Sequence, residues 1–250
     1  MAAATFMNLP AADTGCTEED HKEHIMTYHL YIGDRLFSSW SLRGWLMLHK
    51  FGLPFEAHLV DLYGETMAQD MAPLAPARLV PALRTPEGWV IGESIAIAET
   101  LAERHPDAGL WPSDPAARSR ARWLCAEMAA GFGALRSGCP MQLAHVDTGF
   151  TPSAAIMADI ARIETLWAFA REKATAGPWL FGAYSLADAF YAPVCARITG
   201  YGLPVSAQAS AYCRTTLADP AFQEWRAAGL EKTYDPFPYP PVGRTAPWPE

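Results

Sequence analysis

The chain has no CxxC pair, no Cys/His group at metal-ligand spacing, no dense run of lysine and arginine and no long apolar segment. Its five cysteines (Cys16, Cys125, Cys139, Cys195 and Cys213) are widely separated and odd in number, which argues against a disulfide framework and for reduced thiols in a cytoplasmic setting. Nineteen Lys and Arg against 27 Asp and Glu leave a net charge of −8, and the densest basic stretch is RSRAR at 118–122. That pattern excludes the footprint of a nucleic-acid-binding surface. No apolar run reaches the roughly 18 residues that span a bilayer, so no membrane association is expected. His29, His49, His58 and His145 stand alone in the sequence, and no metal site is expected from them. Residues 1–25 lack a basic region ahead of an apolar core, which argues against a secretory signal. They read as a disordered extension, and Met26 is an alternative start.

What is present is enough apolar material, 50% of 250 residues, for one large or two small packed units. From Thr27 the pattern runs strand (27–32), helix (42–51), strand (55–62), weak helix (65–71), two short strands (82–84 and 89–91) and helix (94–104). A β-α-β-α-β-β-α order of this kind predicts a mixed four-stranded sheet covered by helices, an α/β unit over 26–106. DAGLWPSDP follows as a linker (107–115), and beyond it no convincing strand is readable. Helices are expected at 116–135, 153–174, 185–200, 207–217 and 221–228, giving an all-helical domain over 116–232. The proline-rich end, 233–250, is expected to lie on the surface as a tail.

The run LVPALRTPEGWVIGES (79–94) reads as a binding device for an extended, amino-acid-like ligand. Pro81 follows β-branched Val80 at the head of a short strand and removes a ladder donor where another chain could pair. Thr85-Pro86-Glu87-Gly88 has the composition of a type I turn and closes a hairpin. Gly92-Glu93-Ser94 then opens a helix, so a carboxylate and a hydroxyl sit beside free backbone N–H groups and can hold an ammonium and a carboxylate together. RLFSSWSLR (35–43) joins the first strand to the first helix. A serine there is either an N-cap or a hydrogen-bond donor to an anion such as a thiolate, and Ser38, Ser39 and Ser41 are all available. Lowering a thiol pKa from about 8.5 by about 2 units requires about 2.7 kcal/mol of preferential anion binding. One charge-assisted hydrogen bond at roughly 1.5–3 kcal/mol plus a helix terminus at about 0.3–1 kcal/mol reaches it without a general base.

SSWSLR, VPAL, GES, LWPSDPAARSRA and GAYSLADA, in that order and spacing over about residues 27–230, make the chain resemble the cytosolic glutathione transferases. The resemblance implies a thioredoxin-like domain followed by an all-helical domain, a homodimer, and conjugation of the glutathione thiol to a small apolar electrophile, a detoxification chemistry. SSWSLR is most similar to the zeta-type SSCSxR pattern and to serine-type bacterial enzymes. Carried over, Ser38, five residues before Arg43, is the serine facing the glutathione sulfur, with Ser39 as its understudy. Val80 pairs with the cysteinyl backbone, Pro81 is the cis-proline, Glu93 and Ser94 hold the γ-glutamyl end, and Arg78 is the basic candidate for the glycyl carboxylate. Trp40 stands where the zeta type has a cysteine associated with maleylacetoacetate isomerisation, which argues against that reaction. Rival readings are a glutathione-dependent etherase, dehalogenase or isomerase, and a non-catalytic glutathione-binding dimer. In GAYSLADA, Ser185 and Asp188 have capping-box spacing, a structural role. Trp123 and Glu127 share a helix face that could border the electrophile pocket.

Overall fold

A computed structural model describes residues 27–62, 64–174, 176–231 and 244–249. The expected extension at 1–25 and most of the expected tail lie outside the described residues. Strand β1 (Tyr28–Ile32) alternates, with Tyr28, Leu30 and Ile32 buried and His29 and Tyr31 on the opposite face. It pairs parallel with β2 (Phe55–Leu59) and antiparallel with β3 (Ala82–Arg84), which pairs antiparallel with β4 (Val90–Ile91), giving the order β2-β1-β3-β4. The hairpin closes as its composition predicts, with Gly88 N–H donating to Thr85 C=O at 2.9 Å.

Helix α1 (Ser39–His49) buries nearly its whole length against the sheet and the helical part. It starts three residues before the expected position because Ser38 is its N-cap. Gly44 lets it approach the sheet: a Cβ there would stand 2.8 Å from Pro81 Cβ. The short α2 (Met67–Met71) covers the other face, and α3 (Ser94–Arg104) packs on α1 and β3.

The helical part contains α4 (Pro115–Ala130), α5 (Gly133–Gly138), α6 (Ala154–Arg171), α7 (Leu186–Gly200), α8 (Ala207–Leu217) and α9 (Pro220–Leu230). Two expectations fail here. The single helix predicted over 116–135 breaks at Gly131–Phe132, where Phe132 adopts the left-handed conformation (φ 59°) that a continuous helix excludes. Strands also follow the linker, since β5 (His145–Thr148) pairs antiparallel with β6 (Arg244–Pro247). Residues 244–247 lie on the surface as expected but are held there as a strand, and Trp248 is buried against Gly200.

One continuous apolar core runs from Leu30 and Leu42 in the sheet part to Phe190 and Trp225 in the helical part. Polar ties cross the same boundary: Trp225 Nε1–H donates to Arg35 C=O at 2.6 Å, and Lys50 pairs with Asp219 at 2.6 Å. No helix among the described residues is long and apolar enough to cross a membrane.

Candidate active site

The chain leaves β1 at Ile32 and turns through Gly33–Phe37, where Asp34 accepts from Leu36 N–H at 2.8 Å. Ser38 then sits at the N-cap of α1 in an extended conformation, 9% exposed, its hydroxyl accepting from Ser41 N–H at 3.3 Å. Ser38 Oγ also lies 2.7 Å from Ser41 Oγ, which accepts from Gly33 N–H at 2.8 Å. Ser38 is therefore the capping serine, the residue also expected from the resemblance to face the glutathione sulfur. At 3.3 Å the capping bond is long, so it holds the Ser38 hydroxyl loosely. Ser39 faces elsewhere: its Oγ accepts from Arg197 Nη2–H at 3.1 Å, across the boundary with α7.

The Val80–Pro81 bond is cis. Pro81 is buried beneath Gly44 of α1, and Val80, half-buried, leads into β3. Glu93 precedes α3 with φ 62° and ψ 121°, a left-handed conformation unusual for a side chain of its size. Its side chain makes no capping bond and is exposed, whereas Ser94, the first residue of α3, is buried. Ser38, Pro81 and Ser94 thus belong to one layer: α1 carries Ser38 and rests on Pro81, while α3 begins at Ser94 and packs on α1. Arg78 is not gathered with them. It lies exposed beside Met67, Met71, Pro76 and Ala77 in a groove of about 640 Å³ lined by none of the other site residues.

Sequence reasoning used Arg43 only as a ruler for the serine, and the structure gives it more. It is fully buried, and its Nε–H donates to Phe190 C=O at 2.8 Å. Both terminal guanidinium nitrogens are buried without a hydrogen-bond partner. Its Cζ stacks 4.2 Å from the Trp40 ring, and Arg136 lies 5.4 Å from the same ring. Burial, and then the charges of Arg197 and Arg136, hold the Arg43 guanidinium well below its usual pKa. Arg197 is engaged with Cys139 C=O at 2.9 Å as well as with Ser39. The signal for this group was an arginine inside each of two apolar helical runs, LRGWLML and VCARITG. Exposed Trp123 donates to half-buried Glu127 at 2.9 Å, and Arg162 grips Glu127 at 2.7 and 2.9 Å.

GAYSLADA forms the expected capping box, and more. Buried Asp188 accepts from Ser185 N–H at 2.9 Å, Leu180 N–H at 3.0 Å, Tyr212 O–H at 2.9 Å and Ser185 O–H at 3.2 Å. Burial pushes its carboxyl up to about 6, against the pull of those four bonds.

Residues 37–104, which hold both halves of this layer, match the family "Glutathione S-transferase, N-terminal domain". Over these residues the chain is similar to the glutathione transferases. A glutathione transferase homologue from Burkholderia, solved with bound glutathione, superposes with a TM-score of 0.60 at 26% identity, covering 82% of this chain and 98% of that one. A maleylacetoacetate isomerase from Anaeromyxobacter dehalogenans, also with bound glutathione, gives a TM-score of 0.56 at 27% identity over 80% and 94% of the two chains. Among curated proteins, the probable maleylacetoacetate isomerase of Caenorhabditis elegans is 37% identical over 114 residues, 46% of this chain and 52% of that protein. The maleylacetoacetate isomerase of Pseudomonas aeruginosa is 38% identical over 100 residues, 39% and 46% of the two. The chain thus spans about half the length of the curated relatives it matches.

Proposed function

We propose that this protein is a glutathione-dependent transferase in which Ser38 stabilises the glutathione thiolate for attack on an electrophile. The observation that carries the proposal is the hydroxyl pair at the start of α1. Gly33 N–H donates to Ser41 Oγ, which lies 2.7 Å from Ser38 Oγ. In the structure the Ser38 hydroxyl donates to Ser41 Oγ; on ligand binding the two hydroxyls would rotate so that Ser41 donates to Ser38 and the Ser38 proton faces sulfur, each donor polarising the next. The helix terminus adds its positive end. Glutathione would lie along the Val80–Pro81 edge as an added strand, with its γ-glutamyl end on Glu93 and Ser94. Glu93 has the free carboxylate this requires, and Ser94 sits among the N–H groups that open α3. Arg78 is the weaker part of the proposal, since only a shift of its exposed side chain would bring it to the glycyl carboxylate. A homodimer, expected from the resemblance, and a cytoplasmic location belong to the same reading.

The test is glutathione conjugation of a generic aryl halide. Ser38→Ala should lower kcat/KM by about 10–100-fold, the worth of one charge-assisted hydrogen bond. An unaltered rate would remove Ser38 from the mechanism.

A second reading, glutathione-dependent isomerisation of a carboxylated, unsaturated substrate, is favoured by the names of the relatives. The Arg43 guanidinium is fully enclosed, so its two unpartnered terminal nitrogens would meet an acidic acceptor only if the packing around Trp40 opened. Trp40 replaces the zeta-type cysteine, so the reacting sulfur would be that of glutathione alone. It would add to the activated double bond, permit rotation and leave. Turnover of a cis-configured carboxylated enone without net loss of glutathione would select this reading, and stoichiometric conjugate formation would select the first.

A further inference from the structure

The face of β1 and β2 turned away from the core carries a cluster that the glutathione site does not use. Parallel pairing sets His29 beside Glu56 and Tyr31 beside His58, so residues far apart in sequence meet on one face. His29 Nδ1 lies 3.0 Å from His58 Nε2 and 3.4 Å from Glu56 Oε2, and His58 Nε2 lies 3.9 Å from that same oxygen. In the tetrahedral coordination of zinc, with bonds of about 2.0–2.2 Å, neighbouring ligand atoms are separated by about 3.3 Å. The observed triangle brackets that edge.

From these distances we infer that His29, His58 and Glu56 form a surface site for a divalent transition metal, with zinc the best fit. Three converging ligand atoms, one more than a histidine–histidine hydrogen bond joins, distinguish the cluster. Two neutral imidazoles and a carboxylate meet there, and one shared proton can satisfy two of them, while a single cation satisfies all three. The side chains are 36%, 39% and 52% exposed for His29, His58 and Glu56, so a metal can enter directly from solvent and keep a water as its fourth ligand. The surroundings also orient the ligands. Tyr31 stacks on the His58 ring at 4.9 Å, and Arg84, across β1 from His29, donates to the Tyr31 hydroxyl. Arg84 is the cation on this face and opposes a second one. Its bond to Tyr31 directs it toward that ring, and the Glu56 carboxylate offsets its charge locally. Two imidazoles favour zinc, nickel or copper over magnesium or calcium. Because the ligands come from two neighbouring strands, the bound metal would clip β2 to the centre of the sheet.

The experiment is calorimetric titration of the untagged, chelator-stripped full chain with zinc chloride, paired with thermal melts with and without zinc. One zinc per chain is expected, with a Kd of about 10 μM or tighter, weakened at least about tenfold by His58→Ala and by Glu56→Gln. The melting temperature should rise with zinc in wild type and not in either variant, while millimolar magnesium should leave it unchanged. His49→Ala, on a histidine paired with Glu224 at the end of α1, should bind zinc as wild type does. A Kd weaker than about 1 mM, or equal binding by His58→Ala and Glu56→Gln, would overturn the site. The cluster would then be a hydrogen-bonded histidine pair beside a glutamate.

Discussion

Among the described helices four are capped by a serine, at Ser38, Ser153, Ser185 and Ser206, and the starts of α1 and α7 are built differently. At the start of α7, Ser185 and Asp188 close on each other, and Asp188 spends its acceptors on four protein donors inside the core. At the start of α1, Ser38 accepts one long capping bond and donates its hydroxyl only to another serine hydroxyl, that of Ser41. At the start of α3, Glu93 caps nothing and holds its backbone in a left-handed conformation. The start of α7, which serves the fold, is saturated. A start that can serve a ligand keeps a donor or acceptor in reserve, at some cost in stability.

The largest effect that separates these starts is on stability. Asp188→Ala leaves the Leu180 and Ser185 N–H groups and the Tyr212 hydroxyl unpaired in the core, and should cost about 2–4 kcal/mol in denaturant unfolding. That exceeds the roughly 1 kcal/mol of a simple cap. A loss under about 1 kcal/mol would reduce Asp188 to an ordinary cap, equal in kind to Ser38. Ser38→Ala should show the inverse profile. Its stability cost should stay near or below about 1 kcal/mol because the capping bond is long, while kcat/KM falls as described above.

Glu93→Gln should raise the Kd for glutathione by about tenfold with little change in melting temperature, since the carboxylate supports no other group. Equal affinity in the two proteins would place the γ-glutamyl ammonium elsewhere. The smallest effect is a pH dependence. The Asp188 carboxyl, raised to about 6 when folded against about 3.9 when unfolded, binds its proton more tightly in the native state. Its contribution is therefore fully present below the unfolded value and lost as pH rises through about 6. Measured against Asp188→Asn, wild type should gain relative stability between pH 7 and pH 5. A flat difference would mean that the carboxyl titrates normally.

The sequence reveals much of the local chemistry and little of the long-range assembly. Strand alternation, the Thr85–Gly88 turn, the helix opening at Glu93-Ser94 and the Ser185–Asp188 box are short-range patterns, and each appears in the structure. The break at Gly131–Phe132 was hidden because a glycine inside an apolar helical run costs only about 1 kcal/mol and often stays helical. Pairing of 145–148 with 244–247 could not be read, because the partners lie about a hundred residues apart and prolines surround the second strand. The same applies to His29 and His58, joined only by strand register, and to Arg43 and Arg136, joined only through Trp40. Which serine caps α1 followed from one boundary, the start of the helix at Ser39, and helix boundaries are the least certain part of any sequence pattern.

The most direct test of Ser38 as the thiolate-stabilising group is ultraviolet titration of bound glutathione, read from thiolate absorbance in wild type and Ser38→Ala. In wild type the bound thiol should titrate about 2 units below the roughly 8.5 of a free thiol, and in Ser38→Ala it should return most of the way. The same titration curve in both proteins would contradict the assignment.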